Sequence, residues 1–184
     1  MSHHPAVAAW RLEHEYFNRL LHLLQEQVDV LYTGETPNYE LMLDIIDYLR
    51  DYADQVHHPR EDEAFRRLAQ RSAQHRKVLQ RLHQEHRVIA KAGENLRELL
   101  QQAENDSVVS RAEIEVAAAT YLVYWGNHIA REEEEVLPAA EKLLTESDWA
   151  AARDAAPAMT DPLFGSDPQA RFRNLRRRIS SEAA

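Results

Sequence analysis

The chain has no cysteine among its 184 residues and only four glycines. The first absence excludes disulfides, thiolate nucleophiles, zinc fingers and cysteine-held iron–sulfur clusters, so any metal must rest on His, Asp or Glu. Scarce glycine, beside abundant Ala, Leu, Glu, Arg and Gln, is the vocabulary of long helices rather than sheets, and the fold class expected is all-α. No apolar run approaches the ~18 residues that span a bilayer, and the opening MSHHPAVAAW has no basic stretch followed by an apolar one. A soluble, cytoplasmic protein without a membrane partner is expected. An excess of basic residues is missing too: a formal net charge of -9 disfavours nucleic acid as a partner, because that binding needs a basic face. The length suits one ordinary domain with a real core.

Hydrophobic spacing supplies four helices. Val7, Trp10, His14, Phe17, Leu21, Leu24, Val28 and Leu31 recur in steps of three and four, the stripe of a helix laid against partners, and YTGETPNYE ends it with Gly34 and Pro37. The second stripe is Ile46, Leu49, Ala53, His57, Glu61, Ala64 and Leu68, with Pro59 inside it and expected to kink it. The third is Leu79, Leu82, His86, Ile89, Gly93, Leu96 and Leu100. After the turn AENDSVVSRAE, with Ser110 as N-cap and Glu113 in the first turn, the fourth runs Ile114, Ala118, Tyr121, Trp125, His128, Glu132, Val136 and Ala139, and Pro138 should bend or loosen its end. Every inward stripe thus carries a histidine where an apolar residue belongs.

These histidines belong to a duplication. HHPREDE at 57–63 is echoed by HIAREEE at 128–134, and LEHEYF at 12–17 by QEHRVI at 84–89, so that His14 and His86 are 72 apart and His57 and His128 are 71 apart. The chain reads as two similar helical hairpins. The midpoint of 14 and 57 falls at 35.5, inside TGETP, and that of 86 and 128 at 107, inside NDSV, so each hairpin brings its two histidines level.

Positions i and i+4 share a helix face, so His57 with Glu61 and His128 with Glu132 are two-point claws. Imidazole and carboxylate suit a first-row divalent ion, and two carboxylates able to bridge suit a pair of ions, with room left for water or a small ligand. Non-haem di-iron fits this donor set. Burying four level imidazoles and two carboxylates without a compensating charge is expensive, and a metal supplies that charge.

The pattern His, His-x3-Glu, His, His-x3-Glu resembles the hemerythrin-like family, the HHE cation-binding domain, over residues 5 to about 145. The resemblance implies an antiparallel up-down-up-down four-helix bundle over residues 1–150, with His14, His57, His86 and His128 as terminal ligands and Glu61 and Glu132 as bridges. The implied cofactor is two non-haem iron ions, Fe2+ or Fe3+, bridged by the carboxylates and by an oxo, hydroxo or water oxygen. The sequence departs from the oxygen-carrying members. Their third helix supplies His-x3-His, whereas Ala90 stands four residues after His86, and their last helix has His-x4-Asp where this chain offers His128 with Glu132 or Glu133. The set looks more like the branch containing iron-centre repair proteins and peroxide-reactive or iron-responsive relatives. Repair proteins usually carry a cysteine-bearing domain as well, and this sequence has no cysteine.

The function expected is a di-iron protein that binds, senses or reacts with a small molecule, whether dioxygen, nitric oxide or peroxide. The alternative is an iron store, donor, sensor or iron-centre repair protein without an organic substrate, and a third reading is a structural bundle with vestigial ligands. Asp62, Glu63, Glu133, Glu134 and Glu135 read as a solvated face, although Glu133 or Glu135 could replace Glu132 if the helix is irregular there. His58 has Ile129 as its repeat mate and stays outside the expected ligand set, as do His22, His75 and His83. Glu13 and Glu85 precede ligand histidines in both halves and read as surface charge or, more sharply, as hydrogen-bond partners of the site. Tyr16, Tyr121, Tyr124 and Trp125, near the level of the histidines, read as packing residues, with hydrogen bonding to a bound ligand the alternative for Tyr121. Residues 151–184 form a loop and a short basic helix whose Phe172, Leu175 and Ile179 should pack on the bundle, or on a second subunit or partner protein.

Overall fold

The computed structural model describes residues 4–105, 108–166 and 168–182, and among them there is no strand. Four long helical stretches dominate. The first is α1 (Pro5–Thr33); the second joins α2 (Tyr39–Tyr48), a π-helical stretch Leu49–His57 and α3 (His58–Arg71); the third is α4 (Arg76–Glu104); the fourth joins α5 (Arg111–Arg131), a π-helical stretch Glu132–Val136 and α6 (Leu137–Leu143). Two shorter helices follow, α7 (Glu146–Asp154) and α8 (Arg173–Glu182). No helix here is long and apolar enough to cross a membrane.

Local chemistry sets the ends. Gly34 takes the left-handed conformation at φ 89° and returns its N–H to the Leu31 carbonyl, the usual way to close a helix C-terminus. The Asn38 side chain then accepts from the Leu41 N–H and opens α2. Ser110 opens α5 through a reciprocal box with Glu113, as the sequence suggests. The second hairpin turn, expected around 105–108, includes residues 106 and 107, which lie outside the described residues.

Neither internal proline breaks its helix. Each is instead preceded by a widened turn: the N–H of His58, just before Pro59, reaches the Ala53 carbonyl, and that of Leu137, just before Pro138, reaches Glu132. A proline lacks the N–H and crowds the carbonyl four residues back, and an i to i−5 bond absorbs that defect while the chain stays helical. The extra residue shifts the buried stripe by one. Ala140 rather than the expected Ala139 lies in the core, and Ala139 is half-buried.

The remaining stripe positions are buried as expected, but they form two apolar clusters. One gathers Phe17–Leu31, Leu41–Val56, Ile89–Leu100 and Ile114–Ile129; the other gathers Val7, Trp10, Ala64–Leu68, Leu79, Leu82 and Val136–Ala140. Between them along every long helix stands a polar position: His14, His57 to Glu61, His86, and His128 to Glu132. α7 packs on α3, adding Trp149 and Ala152 to the second cluster. The C-terminal segment packs on α2 through Phe172, Leu175 and Ile179, and Arg171 pairs with Asp51.

Phe17 is fully buried beneath the polar layer, edge-on to His57 at 5.0 Å and to Trp125 at 5.5 Å. Phe17→Ala should lower the unfolding free energy by about 3–5 kcal/mol in urea denaturation, the cost of removing a buried aromatic ring. A loss below about 1 kcal/mol would mean that the ring does not support this layer.

Candidate metal centre

The polar layer is built from two carboxylates facing imidazoles. Glu61 Oε1 lies 3.1 Å from His57 Nε2 and 3.5 Å from His14 Nε2, while its Oε2 lies 3.6 Å from His86 Nε2. Glu132 mirrors this, with Oε1 3.1 Å from His128 Nε2 and 3.7 Å from His86 Nε2, and Oε2 3.5 Å from His14 Nε2. Each carboxylate therefore offers one oxygen to each side of the layer. Both are fully buried, and none of their four oxygens has a hydrogen-bond partner. Buried polar atoms are almost always satisfied, so this concentration of orphans marks a place where something else is held.

All six residues expected from the sequence converge here. The structure adds His58, buried on the same turn as His57 and stacked on His86 at 4.1 Å. Donor atoms of His58, Glu61, His86 and His128 lie within 4.8 Å of one another, and so do those of His14, His57 and Glu61. The Nε2 atoms of His58, His86 and His128 are buried without hydrogen-bond partners. Those of His14 and His57 face each other at 3.1 Å.

Behind each imidazole sits an acid. His57 Nδ1 is 2.5 Å from Glu13, His14 Nδ1 2.7 Å from Glu133, His86 Nδ1 2.8 Å from Asp62, His128 Nδ1 3.3 Å from Glu85 and His58 Nδ1 3.1 Å from Asp54. A carboxylate on the outer nitrogen fixes the tautomer and turns the inner one toward a metal, the usual support of a ligating histidine. The duplication extends to this ring. Glu13 and Glu85 each hold the histidine of the neighbouring helix and are clamped by the repeat-related Arg60 and Arg131, and Tyr52 also donates to Glu13. Asp62 and Glu133 each cross to the histidine of the other hairpin. These two were expected on a solvated face. They are half-buried instead, because the next residue after an inward Glu still reaches the adjoining helix.

The chain matches the hemerythrin HHE cation-binding domain over residues 6–140. It belongs to that family. No curated protein matches the chain. Its centre is therefore the candidate metal site of a hemerythrin-like domain, and the donor set fits a metal through its orphaned oxygens and nitrogens.

His58 escaped the sequence reading because its repeat mate is Ile129, and Asp54, its acid partner, corresponds to Trp125. The available signal was Asp54 itself, placed four residues earlier on the same face. In the hemerythrin-like centre Trp125 lies 5.1 Å from the His58 ring, so the half lacking the pair supplies an indole against it.

Acids and imidazoles lie close together throughout the layer and set one another's charge. Burial opposes protonation of His14, but the hydrogen bond to Glu133 and the nearby Glu61 and Glu132 carboxylates outweigh it and push the imidazole up to about 10. His57, His86 and His128 are raised by the same kind of balance, burial being overcome by their acids. His58 goes the other way: burial, then the neighbouring His86 and His128, push it well below its ordinary value, which keeps a lone pair free. Burial works against Glu13, yet His57 and Arg60 hold it down to about 2, while burial lifts Asp54 up to about 7.

A histidine raised on folding adds stability that is complete below its unfolded value and is lost as pH rises through its folded one. Protein prepared without metal should therefore lose stability between pH 6.5 and about 10, the window set by His14. Urea denaturation across that range checks this, with a shallower loss expected for His14→Gln. Equal slopes for the two proteins would contradict the assignment.

Proposed function

We propose that this domain holds two iron ions between Glu61 and Glu132 and uses them to bind, sense or react with dioxygen, nitric oxide or peroxide. The observation that carries the reading is the pair of fully buried carboxylates, unpartnered at all four oxygens and faced by histidine Nε2 atoms on both sides. His14 and His57, with one oxygen from each Glu, would hold the first ion. His58, His86 and His128, with the other two oxygens, would hold the second. Alternation of the two apolar clusters along successive long helices supports an up-down-up-down bundle over residues 1–150, with 151–184 as an extension packed on it.

Bound iron would supply a redox-active Lewis acid with coordination positions left open. The residues provide the rest. Glu13, Glu133, Asp62 and Glu85 keep the Nδ1 atoms of His57, His14, His86 and His128 oriented, so that their inner nitrogens are presented as donors. Phe17, Phe65 and Trp125 close the layer against water, which strengthens every charge interaction inside it. The His14 and His57 side has one imidazole fewer than the other, and this is where a small ligand finds room.

Iron analysis tests the site, with about two ions per chain expected after anaerobic ferrous loading, since metal must displace the protons held by the layer. Glu61→Ala combined with Glu132→Ala should abolish loading, and His58→Leu should weaken it while sparing the His14 and His57 side. Full loading of the double variant would contradict the proposal. Loss of added peroxide in the presence of the ferrous protein would identify a reactive centre, whereas stable iron with no peroxide consumed would identify a store or sensor.

A further inference from the structure

Tyr52 and Tyr48 are buried on the second long helical stretch, outside the donor set, and each gives its hydroxyl proton to an acid. Tyr52 donates to Glu13 Oε1 at 2.8 Å, and the other oxygen of Glu13 is 2.5 Å from His57 Nδ1. Tyr48 stacks on Tyr52 with 5.7 Å between ring centroids and donates to Asp161 Oδ2 at 3.0 Å. Asp161 belongs to the C-terminal extension and is fixed by accepting from the backbone N–H groups of Leu163 and Phe164. Each buried phenol thus has a carboxylate within the reach of a direct proton transfer. Beyond Tyr48 the rings continue to Phe164 at 5.9 Å, which stacks at 3.9 Å on the half-buried Tyr16.

These tyrosines depart from the duplication. In the second half Val123 and Ala119 stand at the matching positions, and Glu85 takes Arg81 where Glu13 takes Tyr52. Among the described residues, the phenol–carboxylate–imidazole connection therefore exists only on the side of the layer formed by His14 and His57, the side with one imidazole fewer. A phenol that loses an electron together with its hydroxyl proton becomes a neutral radical. Burial does not penalise that species, whereas it makes a phenolate or a radical cation costly. With the electron going to the centre and the proton to Glu13, both charges stay on the same side of the core.

We propose that Tyr52 is a one-electron donor to the centre, oxidised to a neutral radical when peroxide meets a half-oxidised iron pair, and that Tyr48 passes the radical on to Tyr16. The inference rests on the reading that His57 holds iron and that peroxide reacts there. One peroxide takes two electrons, one from a ferrous ion, which becomes ferric, and one from Tyr52. Its O–O bond breaks, two protons from solvent complete two waters, and the phenolic proton of Tyr52 rests on Glu13. A wholly ferrous pair supplies both electrons itself and spares Tyr52. The tyrosines serve the case in which a single iron electron is left, and they lead the oxidising equivalent away from the ligand imidazoles.

Ferrous-loaded protein is oxidised anaerobically with one equivalent of ferricyanide per iron pair, mixed with peroxide and frozen for electron paramagnetic resonance. Wild type should show a tyrosyl radical, identified by narrowing of the signal in protein containing ring-deuterated tyrosine. At equal iron content, Tyr52→Phe should lower the radical yield at least about ten-fold. A purely structural role for Tyr52 would change the iron content and leave the yield per iron as it was. A nitroso spin trap added with the peroxide should mark Tyr16, as mapped by peptide mass spectrometry, and Tyr48→Phe should lose that mark. An undiminished yield per iron in Tyr52→Phe overturns the donor, and equal marking of Tyr16 in Tyr48→Phe overturns the path. Bound iron without a tyrosyl signal in wild type, whether or not peroxide is consumed, overturns this inference and leaves the metal site standing. Protein that binds no iron overturns both.

Discussion

Two carboxylates buried without hydrogen-bond partners in the middle of a helical core are the constraint on which the rest of this structure depends. Glu61 and Glu132 are fully buried and unsatisfied at every oxygen. An uncompensated buried charge costs several kcal/mol, roughly the scale of a whole domain's stability margin. The fold arranges compensation in successive rings: imidazoles around the carboxylates, acids behind the imidazoles, and arginines and a tyrosine behind two of those acids. The apolar core is split in two to make room for this layer, and each half closes one side of it.

The duplication explains why the rings are so regular. An acid one residue before an inward histidine, and an acid one residue after an inward glutamate, recur in both halves and reach across to neighbouring helices in the same way. Four helices are thereby laced together by pairs that the centre itself requires, so that holding the fold and holding the site are one task. The symmetry is broken once, at Asp54 and His58 against Trp125 and Ile129. That break makes the two sides of the layer chemically different, with three imidazoles on one side and two on the other.

Much of this was legible in the sequence. The stripes gave the four helices, the intruding histidines gave the layer, and the i, i+4 spacing selected one glutamate from each acidic run. What was hidden depended on geometry between helices. Ala140 replaces Ala139 in the core because a widened turn ahead of Pro138 adds a residue to the helix. Asp62 and Glu133 look like surface charge in a run of acids, and only the approach of the other hairpin makes them partners of His86 and His14. His58 was set aside by the repeat argument, which detects what two halves share and is blind to what one half has alone. Trp149 comes from α7, outside the repeated hairpins, and no spacing links it to Trp10.

The most direct measurement of the central claim is anomalous X-ray diffraction at the iron edge from crystals of the ferrous-loaded protein. The account predicts two peaks between Glu61 and Glu132, one facing His14 and His57 and the other facing His58, His86 and His128. A single peak, or peaks outside this layer, would contradict it.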